Sequence, residues 1–207
     1  MLNSVSVISI RFSFRPNRPN AHPYFHPIGH KRDIIFGLVE IVKSLGSAAR
    51  SIKDTLRALF GVALYPLNRA HMVELGAVQA LFSLVVREGR VRLVEDATAV
   101  TAQVAGCEES WEVFKWALGV EVSMDFLDNA IGLSSRTKEN AVLALLNLVQ
   151  CGGDEVARDV RRKMEARVVD GIVDIVENGS EKGKSKVLDL LKVVDARALE
   201  CLSGRSS

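Results

Sequence analysis

From Asp33 onward, apolar residues return every three or four positions, the period of helices that bury one face. Two helical segments recur along the chain. The first comprises residues 37–42, 80–85, 123–128 and 171–176, in which Leu38, Leu81, Met124 and Ile172 are equivalent, at spacings of 43, 43 and 48. The second comprises residues 55–62, 97–104, 141–148 and 184–191, whose first positions are spaced 42, 44 and 43. A third, shorter helix is predicted ahead of the first segment in units two to four, near 68–74, 110–118 and 154–164. Asn68 and Asp154 are the predicted N-caps, because their side chains accept orphan amide hydrogens.

Three helices in about 40–47 residues is the period of armadillo and HEAT repeats. Such a unit cannot bury its apolar face alone, and stacking makes one continuous core. The pattern predicts an all-α fold, a right-handed armadillo-repeat superhelix (α-solenoid) of about four three-helix units over residues 31–200. A plain helical bundle is the competing arrangement, and two rulers agreeing over four units argue against it. Small residues Ala58, Ala97, Ala141 and Ala144 are expected where the last helices of neighbouring units approach closely. Gly76 and Gly119 are expected to reverse the chain between short and middle helices, since glycine carries no Cβ penalty. Asn178-Gly179 is a helix stop, and Gly152-Gly153 a turn.

The first 30 residues have another character. Four of the five prolines lie there (Pro16, Pro19, Pro23, Pro27), and residues 1–32 hold five basic side chains and no acid. Proline breaks helix interiors, so residues 1–30 read as an irregular or disordered Pro/Arg-rich arm, and 201–207 as a disordered tail. An organelle transit peptide, a truncated extension, an edge strand and a partner-binding arm all fit the segment. His22, His26 and His30 recur at every fourth residue, but Pro23 and Pro27 forbid the helix that would gather them round a metal.

Composition narrows the function. The hydrophobic share of 48% and charged share of 25% are those of a globular protein. Beyond residue 32 the chain carries 22 basic and 25 acidic side chains, a net −3, so its body is no polyanion binder and nucleic acid is not an expected partner. No apolar run is long enough to span a membrane. Cys107, Cys151 and Cys201 are too few for a disulfide framework or zinc site, and buried thiols in a reducing cytoplasm are expected, with the nucleus as a second address. His71 has no nucleophile beside it and reads as a surface residue. Glu108-Glu109 and Asp154-Glu155 sit at helix starts, where the dipole favours acids. The basic runs at 158–163 and 182–186 read as solvated faces. No catalytic residue, cofactor or metal is expected.

Several stretches carry a family resemblance: 31–39, 63–69, the Glu74-Leu75-Gly76-Ala77-Val78 step, the Asn140-Ala141-Val142-Leu143-Ala144-Leu145-Leu146-Asn147-Leu148 motif, and the closing 179–191. Together they resemble the C-terminal armadillo region of plant U-box E3 ubiquitin ligases over about 33–195. The resemblance implies a protein-binding module that holds a substrate or regulator for ubiquitination. Residues 1–32 do not resemble a U-box, so ligase activity of this chain alone is not implied. A non-catalytic scaffold, or an adaptor competing with full-length ligases, is the alternative.

The third helix of each unit is expected to line the concave groove. Stepping by four residues marks its exposed face: Lys53, Arg57 and Gly61 in unit one, Glu95, Ala99 and Gln103 in unit two, Glu139, Leu143 and Asn147 in unit three, with Leu190 at the Asn147 position of unit four, where the polar ladder fades. These polar residues are the candidate partner contacts. Asn147 leads, because its amide can donate to and accept from an extended peptide backbone; Gln103 is a longer substitute. Trp111 and Trp116 are five residues apart on one helix and point in different directions, one to the core and one outward. The first unit lacks a leading helix, which predicts an apolar end near Ile34, Ile35 and Leu38 and self-association through it.

Overall fold

A computed structural model describes residues 32–203 apart from 45, 118, 129–131 and 168. The arm over 1–30, with its histidines, lies outside the described residues, as does the tail from 204. Every element among the described residues is helical. In chain order they are α1 (Arg32–Lys43), α2 (Ala49–Ala63), α3 (Pro66–Glu74), α4 (Ala77–Arg87), α5 (Val91–Val104), α6 (Ser110–Trp116), α7 (Gly119–Asp125), α8 (Ser135–Arg167), α9 (Val169–Asn178) and α10 (Glu181–Ser203). The last helix runs past residue 200, where the disordered tail is predicted; after Gly183 in its first turn, no proline or glycine occurs before Gly204.

The helix order reproduces the repeat. α1 and α2 are the middle and third helices of unit one; α3–α5 form unit two; α6, α7 and the first arm of α8 form unit three; the second arm of α8, α9 and α10 form unit four. Gly153 separates the arms of α8 at φ 71°, ψ −155°. That region is accessible in practice to glycine alone, which is why a turn can interrupt an otherwise continuous helix. Gly76 does the same work between α3 and α4 at φ 80°.

The third helices pack in succession, α2 on α5, α5 on α8 and α8 on α10, and form the spine of an α-solenoid. Leu56, Leu59, Val62, Ala97, Val100, Val104, Ala141, Leu145, Leu148, Val187 and Leu190 are all at most 2% exposed along it. Ala97, Ala141 and Ala144 are buried at the close approaches, and Ala58 is half-buried.

Two local expectations change. Asn68 is not an N-cap. Pro66, with its preset φ, starts α3 two residues earlier, and buried Asn68 donates from Nδ2 to the Val62 carbonyl at the end of α2 (3.1 Å). Gly119 is not a reversal point but the first residue of α7, where a Cβ would lie 2.6 Å from Phe114 Cδ1. It makes room for the Phe82–Phe114 edge-to-face pair, whose ring centroids are 5.4 Å apart.

Candidate functional site: the face of the third helices

The six polar residues chosen by helical stepping fall into two groups. Glu95 and Glu139 are engaged within the solenoid. Ser134, ahead of α8, donates from Oγ to Glu95 Oε1 on α5 (2.8 Å). Ser180, ahead of α10, donates to Glu139 on α8 through its backbone N–H (2.6 Å) and through Oγ (2.8 Å). Each serine also caps its own helix, accepting from the Thr137 N–H (3.3 Å) and the Gly183 N–H (3.1 Å) respectively. A carboxylate on one third helix thus latches the cap of the next. Gly183 leaves space for this, since a Cβ there would lie 2.6 Å from Glu139 Cγ.

Asn147 and Gln103 are also tied to the spine. Asn147 donates from Nδ2 to the Ala102 carbonyl in the last turn of α5 (2.8 Å). Asn140, two turns before Asn147 on the same helix, donates to the Glu95 carbonyl and to Thr98 Oγ1, both at 3.1 Å. Gln103 Oε1 accepts from Arg69 Nη2 (3.4 Å). Arg69 itself donates to the Ala63 carbonyl (2.8 Å) and the Gly106 carbonyl (3.0 Å), closing the orphan C-terminal carbonyls of two successive third helices. Stepping along the sequence did not find Arg69, because it lies on a first helix.

Lys53 and Arg57 stay on the open face. Neither makes a hydrogen bond or ion pair among the described residues. Both act electrostatically on Asp96 of α5, together with Arg136 of α8. Burial pushes the Asp96 carboxyl above its ordinary range, against the pull of these three cations.

The two tryptophans divide as expected. Trp111 packs on the core, whereas Trp116 is 84% exposed. Lys115 Nζ lies 5.9 Å from the centroid of the Trp111 ring, at one wall of a groove of about 470 Å³. Its other walls are Glu155, Arg158, Asp159, Arg162 and Lys163. Their charges pair locally: Lys115 with Glu155, Arg162 with Asp159, and Lys163 with both Asp159 and Glu121 of α7. Within the basic run Lys163 reaches across to Glu121 and Arg161 to Asp195 of α10, while Arg158 and Arg162 stay exposed, as a solvated face requires.

Cys107 is half-buried, with its thiol pushed up to about 11 by burial and by Glu109. Cys151 is exposed, contrary to the buried thiol expected, because it lies in the turn that ends the first arm of α8. No cluster of three or more histidine, cysteine or acidic residues that could hold a metal occurs among the described residues. No single described helix is long and apolar enough to cross a membrane.

Comparison with known proteins places this geometry. No family model matches the chain. U-box domain-containing protein 38 of Arabidopsis thaliana is 30% identical over 158 residues, covering 73% of this chain and 27% of that protein. U-box domain-containing protein 17 of the same plant is 30% identical over 154 residues, covering 72% and 19%. The chain is homologous to these U-box domain-containing proteins. It spans about a quarter or less of their length.

Among solved structures, the designed armadillo repeat protein YIII(Dq)4CqI superposes with TM-score 0.66 at 19% identity, over 79% of this chain and 66% of that one. The designed armadillo repeat protein YIII(Dq.V1)4CPAF, in complex with peptide (KR)4, gives 0.53 at 14% identity, over 78% and 82%. These likenesses establish the armadillo fold.

Proposed function

We propose that this U-box homologue uses its third-helix face to bind an extended segment of a protein substrate or regulator, and thereby serves protein ubiquitination in the cytoplasm. The observation that supports this is the division of labour on the face. Lys53, Arg57, Ala99 and Leu143 remain accessible or half-buried, while Glu95, Glu139, Gln103 and Asn147 hold the units at a fixed spacing. The polar ladder acts as scaffold, and the residues between its rungs form the docking surface. The designed relatives are consistent with it, since one of them is solved with a bound peptide.

The test is an array of extended peptides of mixed composition, probed with the purified chain and with Ala99→Trp, which fills the groove floor. Binding that Ala99→Trp abolishes supports the reading. Absence of binding to any peptide, or binding indifferent to Ala99→Trp, ends it. Ubiquitin chains formed by the purified chain with E1 and E2 alone would replace the binding role with a catalytic one. A scaffold that competes with full-length ligases would lower their output in the same assay.

Self-association is favoured by a separate observation. Ile34 and Ile41 on α1 are 37% and 38% exposed, yet their equivalents Ala77, Val120, Leu84, Leu127 and Ile175 are at most 1% exposed. Leu188 and Leu191 on α10 are 54% and 36% exposed, against at most 1% for Leu59, Val62, Leu145 and Leu148 at the same register. A second copy stacked head to tail covers both faces in the manner of one more repeat. Sedimentation showing a monomer at all concentrations would exclude this arrangement.

A further inference from the structure

The ruler that aligns the third helices brings out a second ladder, five residues ahead of each motif. Arg50, Arg92 and Arg136 are equivalent in units one, two and three. Each is the second residue of its helix, α2, α5 and α8. All three are exposed, and none makes a hydrogen bond or ion pair among the described residues. The placement is unfavourable for the helices themselves, because a cation at an N-terminus opposes the dipole. Three repeats of an unfavourable choice, each unpaired, ask for a counter-charge outside the chain.

The surroundings favour the same sign. Lys53 and Arg57 follow Arg50 at three and seven residues, on the same face of α2. The acids of the face are Glu95, Glu139, Asp54 and Asp96. Glu95 and Glu139 are occupied by serine caps. Asp54 is exposed one turn beyond Arg50. Asp96 is outnumbered by Arg57, Arg136 and Lys53, which reach it from the two flanking units. Five open cations thus run across three units beside four carboxylates, two of which, Glu95 and Glu139, already accept hydrogen bonds from serines.

We propose that this arginine ladder docks an acidic, extended polypeptide segment, its carboxylates meeting Arg50, Arg92 and Arg136 in turn. The proposal rests on the peptide-binding reading above and specifies the chemistry of the partner. Packed helices lie about 8–10 Å apart, and a chain extended as polyproline II advances about 3.1 Å per residue with three residues per turn, so that every third side chain returns to one face. Carboxylates about three residues apart therefore match the rungs. Arginine suits the task, since its planar fork takes a carboxylate bidentately. A protein segment fits better than nucleic acid, because the body of the chain is net negative.

The experiment is fluorescence anisotropy with a nine-residue Ser/Gly peptide carrying Glu at every third position, beside the same peptide with Lys in place of Glu. The acidic peptide should bind, more weakly as salt rises, and the lysine peptide should not. The triple variant Arg50→Gln/Arg92→Gln/Arg136→Gln should keep its helicity and melting temperature and bind at least about tenfold more weakly, a loss of about 1.4 kcal/mol. The Arg→Lys triple should bind between the wild type and the Gln triple, since it keeps the charge and loses the bidentate fork. Equal binding of both peptides, or undiminished binding by the Gln triple, overturns the proposal. So does tighter binding of single-stranded DNA than of peptide. If basic or neutral peptides bind in an Ala99→Trp-sensitive way while the acidic one does not, the ladder falls and the groove reading stands.

Discussion

Glu139 offers a direct test of whether the polar face serves a partner or the solenoid itself. Glu139→Ala removes two hydrogen bonds to Ser180, one from its backbone N–H and one from its hydroxyl. A hydrogen bond to a charged group contributes about 1.5–3 kcal/mol. Ser180 is exposed, so water competes for the freed groups, and the pair together should be worth about 1–2 kcal/mol. In a domain of this size 1 kcal/mol moves the midpoint by about 2–4 °C, so Tm should fall by roughly 2–8 °C. Far-UV circular dichroism on heating and in urea measures the loss. Hydrogen exchange should place it in α10, because a repeat array loses its least supported unit first. Ser180→Ala should cost about as much, since it keeps the backbone N–H bond to Glu139 but loses the hydroxyl bond and the cap on the Gly183 N–H. The double variant isolates the Glu139–Ser180 coupling. Unchanged melting of Glu139→Ala with zero coupling, joined to weaker peptide binding, would refute the latch and restore Glu139 as a partner contact.

Three further outcomes are expected. Asn147→Ala should cost about 1 kcal/mol in urea denaturation through its lost bond to the Ala102 carbonyl; peptide affinity lost without stability would mean that the amide faces a ligand. Gly153→Ala should cost about 1–3 kcal/mol, because φ 71°, ψ −155° excludes a side chain; an unchanged urea midpoint would show that the two arms of α8 straighten without penalty. The Cys107 thiol, raised from 9.0 to about 11 by burial and Glu109, holds its proton longer in the folded state. Its contribution to stability is therefore present below pH 9.0 and lost as pH rises toward about 11. Iodoacetamide mapping near neutral pH should label Cys151 first; faster labelling of Cys107 would contradict its burial.

The helical repeat was legible because it is written in positions that must be apolar. Val62, Val104 and Leu148 share one register, and all are buried. The same ruler carries the signal for the arginine ladder, since Arg50, Arg92 and Arg136 obey its spacings of 42 and 44. Four-residue steps back from Asn147 fall on Leu143, Glu139 and Ser135, one position short of Arg136. Glu95 and Glu139 lie on third helices, and the serines that bond them, Ser134 and Ser180, lie in the next unit.

Periodicity alone therefore determined which residues are buried, how many helices a unit holds, and that units must stack to hide their apolar faces. Only the tertiary structure decided where each polar side chain finds its partner. Burial depends on a residue's own helix phase, which the chain records locally. A hydrogen bond such as Glu139 to Ser180 spans 41 positions, and it exists because one helix begins where another passes.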